Sequence, residues 1–88
     1  MFVHIGNDHV LQSETIISII DRSLITSSSI TKKMMKAASE NNKLKGTKRN
    51  AKSIVITEDY IYFSTLSVAT LKKRSSIYSK INTTDYIE

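Results

Sequence analysis

The sequence predicts an α+β fold in which a small, mostly antiparallel sheet carries one amphipathic helix. Several short segments rich in Ile, Val, Phe and Tyr alternate with polar turns, which is typical of β-strands. Residues 30–40 instead place apolar side chains at helical spacing. The predicted helix is therefore inserted before the last hairpin, and a short C-terminal helix follows that hairpin.

The N-terminal segment predicts a β-hairpin. Residues 2–5 (FVHI) form the first strand, and residues 9–12 (HVLQ) read as the returning strand. The turn between them is Gly6-Asn7-Asp8, because Gly and Asn tolerate a positive φ and Asp bonds its own backbone.

Residues 15–21 (TIISIID) predict a third strand that is apolar on both faces. Strict alternation places Ile16 and Ile20 on one face, and Ile17 and Ile19 on the other. We therefore expect a helix to cover one face and a neighbouring subunit to cover the other.

The inserted helix is predicted to begin at Ile30 with Ser29 as its N-cap, because the serine hydroxyl can accept a free backbone N–H. Asn41-Asn42 is the predicted stop, since Asn adopts the left-handed cap conformation readily. The expected apolar stripe comprises Ile30, Met34, Ala37 and Ala38.

A second hairpin follows a basic segment at residues 43–51, which includes a short strand near residues 43–45. Residues 52–57 (KSIVIT) form the outgoing strand, Glu58-Asp59 the turn, and residues 60–64 (YIYFS) the returning strand. Ser67 then caps the short C-terminal helix, in which Val68 and Leu71 pack inward.

The chain of 88 residues is expected to form one domain at residues 1–75, followed by a polar tail at residues 76–88. A domain of this size buries only about 60% of its unfolded surface. With no Cys to staple the core, we expect self-association into a homo-oligomer. No apolar run approaches the roughly 20 residues of a membrane span, and no signal peptide is visible, so a cytoplasmic protein is expected.

Positive charge is concentrated in one window. Residues 32–52 contain eight cations and one anion, a net charge of +7, whereas the whole chain carries +5. A flexible cationic segment can follow a phosphate backbone and release its counterions. The alternative is that these lysines coat an exposed helix and loop for solubility.

No constellation of residues predicts catalysis. His4 and His9 flank the first turn and could face each other across the hairpin, but two histidines with Asp8 are a weak metal signal. The two glycines form no phosphate-binding loop, and no serine lies in a nucleophile elbow. We therefore expect no enzyme, no cofactor and no metal.

Three segments together resemble the extracellular matrix regulatory (Rem) family of Gram-positive bacteria, and its B-type branch in particular. They are MFVHIG at residues 1–6, KSIVIT at residues 52–57, and S-x-x-T-L-K-K-R at residues 67–74. The resemblance implies a fold like the LytTR DNA-binding domain. It also implies a homo-oligomeric regulator of biofilm matrix genes, with closed rings that hold double-stranded DNA along arginine-lined surfaces.

A-type members of that family carry arginines that are only partly present here. The matching positions are Thr15, near the start of the third strand, and Arg49 with Asn50, before the outgoing strand. Lysine supplies a point charge without the bidentate fork of arginine, so weaker DNA binding is expected. The predicted nucleic-acid contacts are Lys45, Lys48, Arg49 and Lys52.

Two further interpretations stay open. The protein could be an oligomeric interaction scaffold that binds no DNA, with a partner docked on the face of Tyr60 and Tyr62. The run Lys72-Lys73-Arg74 could contact phosphate, pair with another subunit, or stabilise a helix C-terminus, and the last two are favoured.

Overall fold

The computed structural model describes residues 1–74, and the predicted tail at residues 76–88 lies outside them. The structure contains six strands, three α-helices and one 3₁₀ turn at Ser13–Thr15 in that range. The strands are β1 (Phe2–His4), β2 (Val10–Gln12), β3 (Ile16–Asp21), β4 (Leu44–Lys45), β5 (Ser53–Thr57) and β6 (Ile61–Ser64). The helices are α1 (Leu24–Ser27), α2 (Ser29–Glu40) and α3 (Val68–Arg74). None of the helices in this range is long and apolar enough to cross a membrane.

The α+β class and the mostly antiparallel sheet are confirmed. Strands β1 and β2 form a separate antiparallel hairpin, and the other four strands form one sheet in the order β3-β5-β6-β4. The pairs β3–β5 and β5–β6 are antiparallel, while β4 lies parallel to β6. Strands β3 and β4 are therefore the two edges of the sheet.

Apolar side chains on both faces of the sheet build two small cores. On one face, α2 packs Met35 and Ala38 against Ile54 and Phe63. On the other, the β1–β2 hairpin and α3 pack against Val55 of the central strand. The molecule is thus three layers thick, with the sheet in the middle.

The third strand departs from its predicted alternation. Ile17 is an extra residue in a β-bulge, because Ile16 pairs with Thr57 while Ser18 pairs with Ile56. The bulge reverses the phase of the strand, so Ile16 packs in the hairpin core and not beside Ile20. The expected neighbouring subunit is also not what covers this face, since the hairpin and α3 of the same chain do.

The start of α2 was predicted one residue too late. Ser28 is the N-cap, and its hydroxyl accepts the backbone N–H of Thr31 at 3.2 Å. The buried face also differs from the prediction, because packing against the sheet buries Met35 and Ala38, whereas Ile30 is 79% exposed. Ala37, also placed in the predicted stripe, is exposed as well.

One predicted turn, one predicted helix stop and one predicted cap are confirmed. Gly6, Asn7 and Asp8 all have a positive φ between β1 and β2. Asn42 ends α2 with a φ of 58°. Ser67 caps α3 by accepting the backbone N–H of Thr70 at 3.2 Å.

Buried serines tie the layers together. The Ser53 hydroxyl donates to the Leu66 carbonyl at 2.6 Å, and the Ser64 hydroxyl donates to the Ile5 carbonyl. Both serines are fully buried, so each hydroxyl must find a partner inside the protein. These bonds fix the ends of β5 and β6, from which the candidate site is built.

Candidate nucleic-acid interface

Three predicted DNA contacts lie on one exposed loop between β4 and β5. This basic loop, residues 46–52, carries Lys48, Arg49 and Lys52, and all three are exposed. Ala51 at its end is buried in the core beneath α2. The loop therefore presents its cations outward while one apolar residue anchors it.

Backbone hydrogen bonds hold the basic loop in shape. The Lys52 N–H donates to the Ser64 carbonyl at 2.7 Å, and the Ala51 N–H donates to the Lys48 carbonyl at 3.2 Å. The second bond closes a four-residue turn in which Asn50 occupies the third position with a φ of 62°. A positive φ at that position is what type II turns require, and Asn tolerates it.

The other end of the basic loop approaches the sheet closely. Gly46 has a φ of 83°, and a Cβ atom built there would lie 2.9 Å from the Phe63 carbonyl oxygen. The Asn7 side chain donates to the same carbonyl at 3.3 Å. Glycine is required at position 46 both for its φ and for this close approach.

The backbone of Arg22 lies beside the basic loop, a neighbour that the sequence reasoning missed. Its backbone N–H donates to the Lys52 carbonyl at 3.2 Å, directly after β3 ends. The signal was available in principle, because antiparallel pairing brings the end of β3 to the start of β5. The pairing itself, however, joins segments more than thirty residues apart in the chain.

One carboxylate lies close to these cations. Asp21 pairs with Ser53 in the sheet, and its carboxylate accepts the Ser23 N–H at 2.8 Å. That backbone N–H, together with the Ser23 hydroxyl, lowers the pKa of Asp21 from its usual 3.8. Asp21 is therefore ionised at neutral pH, and its carboxylate is engaged by the Ser23 N–H in the turn after β3.

The cations of the basic loop have no anionic partner in residues 1–74. The ion pair found within that range joins the N-terminal amine of Met1 to Glu14 at 3.1 Å. No ion pair or side-chain hydrogen bond from Lys48, Arg49 or Lys52 to any described residue is found. Within the described range their charge is therefore not offset by an ion pair.

Lys45 is separated from the other predicted contacts. It lies on β4, half-buried, and its ammonium sits 4.6 Å from the centre of the Tyr60 ring. Tyr60 immediately precedes β6, whereas Lys52 is bonded to Ser64 at the opposite end of β6. The structure therefore gathers Lys48, Arg49 and Lys52 and leaves Lys45 in a different environment.

Thr15 is also distant from the basic loop within one chain. Residue 16 pairs with Thr57, while residue 21 pairs with Ser53 beside the loop. Five residues of strand separate the two ends, or roughly 16 Å. Thr15 and the pair Arg49–Asn50, the positions singled out by the resemblance, thus lie at opposite ends of the sheet in one chain.

The last turn of α3 contains Lys72, Lys73 and Arg74. Positive charge at this position interacts favourably with the helix dipole. The Arg74 guanidinium donates to the His4 carbonyl at 3.3 Å and so ties α3 to β1. This contact gives Arg74 a structural role within the chain.

The histidines do not face each other. The hairpin register pairs His4 with Val10, while the His9 ring packs edge-on against Tyr62 at 5.2 Å. Within residues 1–74 no three His, Cys, Asp or Glu side chains are grouped closely enough to hold a metal ion.

Tyr60 and Tyr62 line a cleft of about 310 Å³ on the hairpin side of the sheet. Phe2 and Val10 of the hairpin form its opposite wall and are 69% and 55% exposed. Burial raises the pKa of the Tyr62 hydroxyl above its usual 10.0, with smaller contributions from Tyr60 and Asp59. This opening, called the aromatic cleft below, borders the predicted tyrosine face, and Glu58 and Asp59 also line it.

Comparison with known proteins gives matches over nearly the whole described fold. A family model described as RemA-like, extracellular matrix regulatory protein A-like, matches residues 2–74. The chain is also 36% identical over 86 residues to Extracellular matrix regulatory protein B of Bacillus subtilis (strain 168). That match covers 93% of this chain and 99% of that protein.

Proposed function

Because the chain belongs to the RemA-like family of extracellular matrix regulatory proteins, we propose that it is a DNA-binding transcriptional regulator of matrix genes. It acts in the cytoplasm on biofilm formation and contacts double-stranded DNA through the basic loop. The proposal includes the relationship to the LytTR DNA-binding fold that the resemblance implies.

The observation that carries this proposal is the charge of the basic loop, for which residues 1–74 supply no ion-pair partner. Lys48, Arg49 and Lys52 are exposed on a backbone held by hydrogen bonds to β6, with Arg22 beside them. Fixed cations of this kind suit phosphate oxygens, and each phosphate neutralised releases counterions. The loop is anchored to β6 at both ends, through Gly46 and Lys52. Lysines that only raise solubility would not need such a fixed backbone.

The proposal also includes a ring-like homo-oligomer. In residues 1–74, edge strand β3 has no partner on its outer side, and Ile17 at its bulge is 64% exposed. An open edge with an exposed apolar residue is a surface that proteins usually cover. Neighbouring subunits in a ring would cover it and would repeat the basic loop around the assembly. They would also bring the Thr15 end of one subunit toward the loop of another.

Fluorescence anisotropy of a labelled duplex, measured across a salt series, tests the DNA contact. We expect log affinity to fall steeply with log salt, since several phosphates are contacted. The variant Lys48→Glu/Arg49→Glu should lower affinity at least tenfold and leave the oligomer intact, because it places two carboxylates against phosphate.

The matched control is Lys33→Glu/Lys36→Glu, which makes a charge reversal of the same size at exposed positions of α2. It should weaken binding much less than the loop variant. Equal losses in both variants would mean that net charge, and not the basic loop, governs binding.

A second candidate function is an oligomeric protein-interaction scaffold that binds no DNA. Exposed Phe2 and Val10 beside the aromatic cleft favour it, as does the absence of arginine at Thr15 and Asn50. Failure of the folded protein to bind duplex at low salt would support the scaffold. Phe2→Ser should then abolish capture of the protein partner.

A further inference from the structure

We propose that Lys43, Lys45 and Tyr60 form a second phosphate-binding site, distinct from the basic loop. The ammonium groups of the two lysines lie 5.5 Å and 4.6 Å from the centre of the Tyr60 ring. The two charges are consequently no more than about 10 Å apart. We call this group the lysine–tyrosine cluster, and its argument does not depend on DNA binding by the basic loop.

The strand pairing holds both lysines in place. The Ile61 N–H donates to the Lys43 carbonyl at 2.9 Å, and Lys45 pairs with Tyr62 in the parallel register of β4 and β6. Lys45 is also half-buried. Less side-chain freedom is therefore lost when this lysine binds a ligand than at a fully exposed position.

Tyr60 is equally well fixed. Thr57 and Tyr60 close the turn with three hydrogen bonds, two of which use the Thr57 hydroxyl, at 2.7 Å and 3.0 Å. The Tyr62 ring packs edge-on against Tyr60 at 6.3 Å, and His9 packs against Tyr62 in turn. The ring that gathers the two ammonium groups is thus part of a rigid aromatic stack.

The cluster forms no ion pair with the described residues, although Glu58 and Asp59 line the same openings as Tyr60. In residues 1–74 no carboxylate lies within ion-pair distance of either lysine. The π-face of one tyrosine attracts each cation, but it carries no net charge and does not offset their mutual repulsion. A bound oxyanion would offset that repulsion, and lysine is a common point-charge partner of phosphate.

The surroundings of Tyr60 have room for the rest of a phosphorylated ligand. The aromatic cleft borders the same ring, and its volume of about 310 Å³ is at the lower end of small-molecule sites. A DNA phosphate or the phosphate of a nucleotide offers the same oxygens. A nucleotide would also place its base near Tyr60 and Tyr62, in a cleft that Gln12, Thr15, Glu58 and Asp59 line as well.

The cluster and the basic loop lie at opposite ends of β6. Tyr60 precedes the strand, and Ser64, which accepts the Lys52 N–H, ends it. The separation along the strand is roughly 13 Å. Variants at one site therefore need not disturb the other, and the two can be tested separately.

The test uses the full chain and the variant Lys43→Gln/Lys45→Gln, which removes both charges and keeps much of the side-chain length. Two probes are titrated: a labelled duplex followed by anisotropy, and ATP followed by amide chemical shifts. Lys33→Gln/Lys36→Gln is the control for charge alone, and Lys48→Gln/Arg49→Gln reports the basic loop. Thermal unfolding confirms that each variant folds.

If the phosphate comes from DNA, the cluster variant should lower the salt slope of duplex binding by about one, as expected for one lost phosphate contact. If it comes from a nucleotide, duplex binding is unchanged. In that case ATP should shift the amides of residues 43–45 and 60–62 in the parent and not in the cluster variant.

Tyr60→Leu provides a second variant that keeps both lysines and removes the ring that gathers them. It should weaken whichever probe binds by severalfold. The proposal is overturned if neither probe distinguishes the cluster variant from the α2 control. It is also overturned if polyglutamate binds the cluster and ATP does not, which would identify a carboxylate site. Failure of the basic-loop variant alone would instead count against the proposed function.

Discussion

At position 50 the basic loop turns through a backbone conformation that most side chains avoid. Asn50 has a φ of 62°, where Asn is tolerated better than residues with larger side chains. Asparagine at this position supports the turn that presents Arg49.

Substitutions at Asn50 test whether its positive φ selects asparagine. Asn50→Arg should lower the free energy of unfolding by about 1 kcal/mol, because a long side chain is forced into the left-handed region. The same variant should tighten duplex binding by adding a cation beside Arg49. Urea unfolding and anisotropy measure the two effects separately.

Asn50→Gly is the matched control, since glycine adopts this φ without strain. It should retain the stability of the parent and gain no DNA affinity. If Asn50→Arg were as stable as Asn50→Gly, the positive φ would not be what selects asparagine.

Among the elements, α2 differs from its prediction in its first residue and in the face that it buries. Ser28 caps the helix, and packing against the sheet buries Met35 and Ala38 and leaves Ile30 exposed. The sequence offers three consecutive serines, each chemically able to cap. The backbone at Ser28 is extended, with φ −118° and ψ 120°, and this decides which serine is used.

Alanine substitutions at Ser28 and Ser29 should identify the serine that caps α2. Ser28→Ala should lower the free energy of unfolding by about 1 kcal/mol, since the Thr31 N–H loses its partner. Ser29→Ala, one residue later at an exposed position, should change stability little. Chemical denaturation of both variants makes the comparison, and a larger loss at Ser29 would contradict the assigned boundary.

For the whole molecule, the unpaired outer edge of β3 is the feature that most directly concerns assembly. Both faces of the sheet are already covered within one chain, by α2 and by the hairpin with α3. A neighbouring subunit is therefore not needed to cover either face of the sheet. We expect the subunit contact at the edge of β3 that carries Ile17.

Replacing Ile17 by lysine should reduce the oligomer to smaller species while the monomer stays folded, because a charge at an edge strand opposes pairing. Size-exclusion chromatography with light scattering measures the mass. Ile30→Lys is the control, since Ile30 is still more exposed but lies on α2. An unchanged mass for Ile17→Lys would place the subunit contact elsewhere.

The local elements were largely predictable. Both hairpins, the central helix and the capped C-terminal helix follow from periodicity, turn residues and caps, all of which act over a few neighbouring positions. The four-residue helix α1 was missed, because so short a segment has almost no periodic signal. The bulge at Ile17 was missed for a different reason, since a bulge is defined only by the partner strand.

The candidate site likewise has features that the sequence predicts and features that only the structure reveals. The sequence by itself determined the fold class, the family and the concentration of lysine and arginine in residues 32–52, because these depend on composition and local pattern. Only the tertiary structure decided that the backbone of Arg22 lies beside the basic loop, and that Lys45 lies with Lys43 over Tyr60. Those groupings depend on strand order and register, which pair residues distant in the chain and leave no mark on the local sequence.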